Sequence, residues 1–176
     1  MRIKHLIPFI LLLLIVFSCE KKEEVTKQDI TEKYQKEGIS FDLPVGWSVK
    51  QDYTNEEGRY LQLDKYSNYK VESTMAIGIL KNKQSQDSII DHQIKQLQFF
   101  YQKVIFKTLE EKKKSQLGKY EALVTTYEAD DTKNKVYGKV FVIRENDKTI
   151  YVQIVENKPD TNMSDYNIIF NTITIK

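Results

Sequence analysis

The chain has 176 residues, of which 40% are apolar and 11% aromatic, enough to build a core and to exclude wholesale disorder. Lys and Arg number 27 against 25 Asp and Glu. Two of those cations, Arg2 and Lys4, belong to a segment read below as removable, so the remainder is formally neutral and no nucleic-acid partner is expected.

Residues 1–18 carry the parts of an export signal. Arg2 and Lys4 make a positive start, and Leu6 to Phe17 follows as one apolar stretch interrupted only by Pro8. That stretch is shorter than the roughly 20 residues a membrane-spanning helix needs, and matches the apolar core of a signal peptide, about 7–15 residues. It runs into Val16-Phe17-Ser18-Cys19, which resembles the lipobox of bacterial lipoproteins. The resemblance implies a diacylglycerol thioether on Cys19 and cleavage before it, with several acyl chains at about 0.8 kcal/mol per CH₂ making attachment permanent. Ordinary signal cleavage after Ser18 is the alternative. Cys19 is the only cysteine, so acylation leaves the rest without a disulfide, a thiol nucleophile or a cysteine metal ligand. The membrane is then a partner through Cys19, and the expected location is the bacterial cell envelope, at the outer membrane, with the leaflet open.

Residues 19–37 are polar and charged, beginning Glu20-Lys21-Lys22-Glu23-Glu24. They read as a lipidated tether with one helical turn around Ile30 to Tyr34. Lys22-Glu23-Glu24 resembles the short signal that routes some Bacteroidetes lipoproteins to the cell surface. A solvated linker explains the same residues.

The folded domain is expected over residues 38–176. Ile39-Ser40-Phe41-Asp42-Leu43 alternates as a strand with one buried face, and Pro44-Val45-Gly46 supplies a turn before Trp47-Ser48-Val49 resumes the alternation. Arg59 to Lys65 and Val71 to Leu80 read as strands joined at Ser67-Asn68. Ile90, Ile94, Leu97, Tyr101 and Val104 then form the stripe of an amphipathic helix capped by Ser85 or Asp87. A short strand over Phe106 to Lys112 ends before Leu117-Gly118. Tyr120 to Tyr127, Val136 to Arg144 and Ile150 to Val155 form a meander, with a polar loop over Asp130 to Asn134 and a turn at Glu145 to Lys148. Met163 to Phe170 predicts a short closing helix. This order gives an α+β domain, an antiparallel β-sheet flanked by helices.

Phe41-Asp42-Leu43-Pro44-Val45-Gly46-Trp47 resembles the opening of the PsbP/Mog1-like superfamily (PsbP-related, DcrB-like). The later Gly118-Lys119-Tyr120, the long hairpin and the terminal helix with Phe170 fit the same order. The resemblance implies an α/β/α sandwich and a noncatalytic binding or assembly role. It also implies a structural motif, in which Pro44 and Gly46 turn the chain while Phe41 and Trp47 fill the core.

The residues offer little chemistry. Once His5 leaves with the signal, His92 is the single histidine. A hydrolase reading places it beside Asp91 with Ser88 one turn earlier, but adjacent helical residues point apart and no nucleophile elbow is present. Asp130, Asp131 and Asn134 lack the spacing of a calcium loop, and one histidine builds no zinc site. No metal, cofactor or catalytic residue is assigned. Lys112-Lys113-Lys114 beside Glu110-Glu111 reads as a solvated run. Tyr53, Tyr60, Tyr66 and Tyr69 are the candidate binding face, for a glycan or peptide, against the alternative of cross-strand packing. The leading functional expectation is a noncatalytic envelope lipoprotein with a binding or assembly role. The alternatives are an immunity or effector-associated protein that binds a cognate toxin, and the hydrolase.

Overall fold

The computed structural model describes residues 30–101, 105–130 and 135–175. Ten strands and two helices follow in the order β1 (Ile30–Lys36), β2 (Ile39–Pro44), β3 (Trp47–Thr54), β4 (Gly58–Ser67), β5 (Lys70–Leu80), α1 (Gln86–Phe100), β6 (Ile105–Leu117), β7 (Tyr120–Asp130), β8 (Lys135–Glu145), β9 (Lys148–Glu156), α2 (Met163–Thr172) and β10 (Thr174–Ile175). Seven strands form one antiparallel sheet in the order β3-β4-β5-β9-β8-β7-β6, and three form a smaller one, β1-β2-β10. The small sheet and α2 cover one face of the large sheet, and α1 lies on the other. This is the expected α+β architecture, an antiparallel sheet flanked by helices. Among the described residues no helix is long and apolar enough to cross a membrane.

Period-two alternation sorts the side chains between two cores. Leu61 and Leu63 of β4, Met75 and Ile77 of β5 and Val152 and Ile154 of β9 meet Ile39, Phe41 and Leu43 of β2 and Tyr166 and Ile169 of α2. On the opposite face Ile89, Ile90 and Leu97 of α1 close over Tyr127, Val140 and Val142 of β7 and β8.

The segment before Ile39 differs from the sequence expectation. Ile30 to Tyr34 forms no helical turn; Ile30–Lys36 is a strand paired antiparallel with β2. Two forces make it so. Glu37 (φ 45°) and Gly38 (φ 80°) supply the left-handed pair that a two-residue hairpin requires. Tyr34 then stacks on its register partner Phe41, ring centroids 4.9 Å apart.

An ionic clamp fixes this hairpin to the large sheet. Arg59, only 8% exposed, grips Asp52 through Nε and Nη2 at 2.9 and 3.1 Å and donates through Nη1 to the carbonyl of Lys36 at 2.7 Å. Tyr34 Oη and Lys36 Nζ each donate to Asp52 Oδ2 at 2.7 Å. Burial works against the Asp52 charge, yet the hydrogen bonds from Arg59, Lys36 and Tyr34 hold its carboxyl well below the usual carboxylate range. Burial and the bond to Asp52 push the Tyr34 phenol up to about 12.

Two further elements differ in extent. β6 runs from Ile105 through the three lysines to Leu117, longer than the predicted Phe106 to Lys112. It is an edge strand, where charged side chains face water while the backbone pairs with β7, and its register shifts around Glu110. Helix α1 ends at Phe100 with Tyr101 as C-cap, and Val104 lies outside the described residues. Ser85 occupies the N-cap position but makes no side-chain capping bond.

Candidate functional site

The Leu-Pro-x-Gly-Trp segment is structural. Val45-Gly46 turns the chain with Gly46 at φ 84°, and Phe41 and Trp47 are buried. Trp47 Nε1 donates to Asp165 Oδ2 at 2.8 Å, and its ring stands edge-on to Tyr166 with centroids 5.6 Å apart. Lys65 pairs with the same carboxylate at 2.8 Å. Beside them, buried Glu156 accepts from the backbone amides of Asp160 and Asn162 at 3.1 and 3.3 Å. This polar cluster anchors the start of α2.

Ser88, Asp91 and His92 do not assemble. All three are exposed on α1, and Asp91 turns to Lys112 at 2.7 Å. Lys112 also pairs with Asp87 at 3.4 Å, and Lys113 with Glu110 at 2.8 Å, so these two lysines of the run are held by neighbouring acids. Among the described residues no group of three or more His, Cys, Asp or Glu could hold a metal ion. Residues 131–134, which include Asp131 and Asn134, lie outside the described residues, as do Cys19 and Lys22-Glu23-Glu24.

The four tyrosines separate into two places. Tyr53 and Tyr60 are register partners with ring centroids 5.2 Å apart. Tyr66 lies further along β4 beneath Lys50, whose Nζ is 4.4 Å from the ring centroid. Tyr69 sits at the β4–β5 hairpin tip, fully exposed with φ 62°. No ring contact joins Tyr66 or Tyr69 to the first pair.

Tyr60 opens onto a feature that the sequence reading missed. Helix α1 packs mainly over β7 and β8, so among the described residues no layer covers most of β4 and β5 on that side of the large sheet. The register sets side chains there in rows: Tyr60, Gly78 and Tyr151; Gln62, Ala76 and Gln153; Asp64, Thr74 and Val155. The middle member of each row, on β5, is small, and larger neighbours on β4 and β9 flank it. The result is a trough. Gln93, Gln96, Leu97, Phe100 and Tyr101 of α1 wall it, and the groove has a volume of about 470 Å³.

Its floor is held from within the sheet. Asp64, 6% exposed, accepts from Gln62 Nε2 at 3.1 Å and Thr74 Oγ1 at 2.9 Å through one oxygen. That fixes the orientation of the Gln62 amide. At the end of the trough the Tyr151 ring lies against Gly78, where a Cβ would meet ring carbon at 2.1 Å. Burial pushes the Tyr151 phenol up to about 12, with Tyr60 and Tyr53 adding to the shift. Two sequence signals could have found this groove. Thr74, Ala76 and Gly78 alternate with Met75, Ile77 and Ile79 along β5, and Gln93 interrupts the apolar stripe of α1.

No protein-family profile matches the chain, and no curated protein is similar to it in sequence. Solved structures share its architecture. The cyanobacterial PsbP of Synechocystis sp. PCC 6803 superposes with a TM-score of 0.56 at 10% identity, over 87% of this chain and 96% of that one. A crystal structure from Bacteroides thetaiotaomicron VPI-5482 superposes with a TM-score of 0.55 at 10% identity, over 85% of this chain. This chain spans about half of that protein's length, 49%. The fold is PsbP/Mog1-like, as the Phe41 to Trp47 segment implied.

Proposed function

We propose that this protein is a cell-envelope lipoprotein, acylated at Cys19, whose domain binds or helps assemble envelope components and catalyses no reaction. The observation that carries the reading is the groove beside α1 on the large sheet, a concave face on which the described residues assemble no catalytic constellation. The likeness to cyanobacterial PsbP supports it at the level of fold. Val16-Phe17-Ser18-Cys19 supports the anchor. With Ile30–Lys36 folded into the small sheet, residues 20–29 remain as the tether, which at full extension reaches about 35 Å from the anchored cysteine.

The test is metabolic labelling with an alkyne fatty acid, followed by membrane fractionation and by protease shaving of intact cells. The wild-type chain should carry the label and sediment with membranes, and Cys19→Ala should lose both. An unlabelled wild-type protein released into the medium would overturn the anchor. Shaving assigns the leaflet, since surface display predicts cleavage before the outer membrane is opened.

A further inference from the structure

We propose that the groove between α1 and strands β4, β5 and β9 binds a neutral oligosaccharide; this rests on reading the domain as a binding module and names its ligand class. Three features of the groove converge on that chemistry.

The first is charge. In a chain with 30% charged residues, the groove is lined by Tyr, Gln, Thr, Leu, Phe and Val, and the one carboxylate in its floor, Asp64, is 6% exposed and engaged by Gln62 and Thr74. A wall of that kind gives no partner to a phosphate, a carboxylate or a basic peptide, and desolvating such a group there would be uncompensated. The second is hydrogen-bonding capacity. Gln93 is 7% exposed and lines the groove, and among the described residues its side-chain amide has no hydrogen-bond partner. Its amide meets the solvent of the groove, where a ligand hydroxyl can take the place of water. Gln96 is exposed, and among the described residues Gln153 makes one long hydrogen bond, to Tyr127 Oη at 3.5 Å. Each primary amide both donates and accepts, which suits hydroxyl groups that do the same. The third is the aromatic wall. Tyr60 on one side and Phe100 with Tyr101 on the other present ring faces and edges, the Phe100 ring standing edge-on to Tyr101 at 5.1 Å. Apolar ring faces take the C–H faces of a pyranose while the amides take its hydroxyls. The volume, about 470 Å³, lies in the range of small-ligand sites, about 300–1,000 Å³.

The full chain, purified in detergent, would be titrated calorimetrically with neutral hexasaccharides of glucose, mannose, xylose, galactose and N-acetylglucosamine. A polygalacturonate hexamer and a Gln/Ser-rich peptide would be run beside them. At least one neutral hexasaccharide is expected to bind, with the acidic hexamer and the peptide much weaker. Gln93→Leu should weaken binding about tenfold, the effect of one lost hydrogen bond, while leaving the melting temperature unchanged or higher. Tyr60→Ala should weaken binding similarly, and Tyr69→Ala, outside the groove, should leave it unchanged. Binding of none of the neutral sugars would overturn the proposal. So would preference for the acidic hexamer or the peptide, or full affinity in Gln93→Leu. Labelling at Cys19 reports separately on the anchor, so failure of the sugar site and failure of the envelope reading are told apart.

Discussion

Gly118 and Phe170 meet backbone to backbone: the carbonyl oxygen of Phe170 lies 1.8 Å from where a Cβ on Gly118 would stand, and Gly118 has φ 58°. The β6–β7 hairpin is thereby seated against the end of α2, which joins two elements far apart in sequence.

Gly118→Ala should therefore cost more than conformational strain alone. A left-handed alanine costs roughly 1–2 kcal/mol, and displacing α2 from the hairpin adds to that. Gly46 is the internal control, since its φ is 84° but its nearest neighbour to a Cβ is 3.7 Å away. Urea denaturation should place Gly118→Ala at the lower midpoint of the two. Equal midpoints would show that the contact with Phe170 adds nothing.

Trp47 offers a separable hydrogen bond. Trp47→Phe keeps an aromatic ring against Tyr166 but removes the donor to Asp165, which retains Lys65. The expected loss is about 1–2 kcal/mol, against about 3–5 for Trp47→Ala, which also opens a cavity. Chemical denaturation of the two variants measures the split.

The clamp on Asp52 makes the first hairpin sensitive to acid. Its folded carboxyl titrates below an unfolded aspartate, whose pKa is about 3.9. Its stabilisation is therefore complete above that pH and drains away as pH falls toward the folded value. Amide exchange in residues 30–36 should accelerate below about pH 4 before the β8–β9 core opens. Asp52→Asn should cost about 3 kcal/mol at neutral pH, because it strands the buried Arg59, and should abolish that acid step. Lys36→Ala, at a side chain 51% exposed, should cost under about 1 kcal/mol.

Phenol titration reads the tyrosine placement. Tyr34 and Tyr151 should ionise only near 12, later than a free tyrosine at about 10. In an ultraviolet titration Tyr151→Phe should remove one late phenolate and leave the early ones intact. Loss of an early phenolate instead would place Tyr151 in water.

The strands and both helices were largely legible, because alternation and the 3.6-residue stripe report burial directly. Ile39, Phe41 and Leu43 are buried as their spacing predicts, and so are Ile90 and Leu97. Residues 30–36 were not legible. Glu32, Lys33, Gln35 and Lys36 are polar on a small sheet that faces water, and what orders them is Arg59 and Asp52, more than a dozen residues away. The groove escaped for a related reason. Sequence spacing identifies Tyr53 with Tyr60, but only register shows that Gln62 and Gln153 flank Ala76. Only the placement of α1 shows that they line a groove.

The position of β2 bears on the order in which the molecule assembles. Its flanking strands are β1 and β10, and Asp42 donates its backbone amide to Thr172 Oγ1, 130 residues away. Closing so long a loop is entropically slow. The seven-stranded sheet, built almost wholly from neighbouring hairpins, can form first, and Ile39, Phe41 and Leu43 are sealed only when α2 and β10 arrive. Until then the chain keeps an apolar strand available, and mispairing of that strand is the hazard that the arrival of α2 and β10 removes.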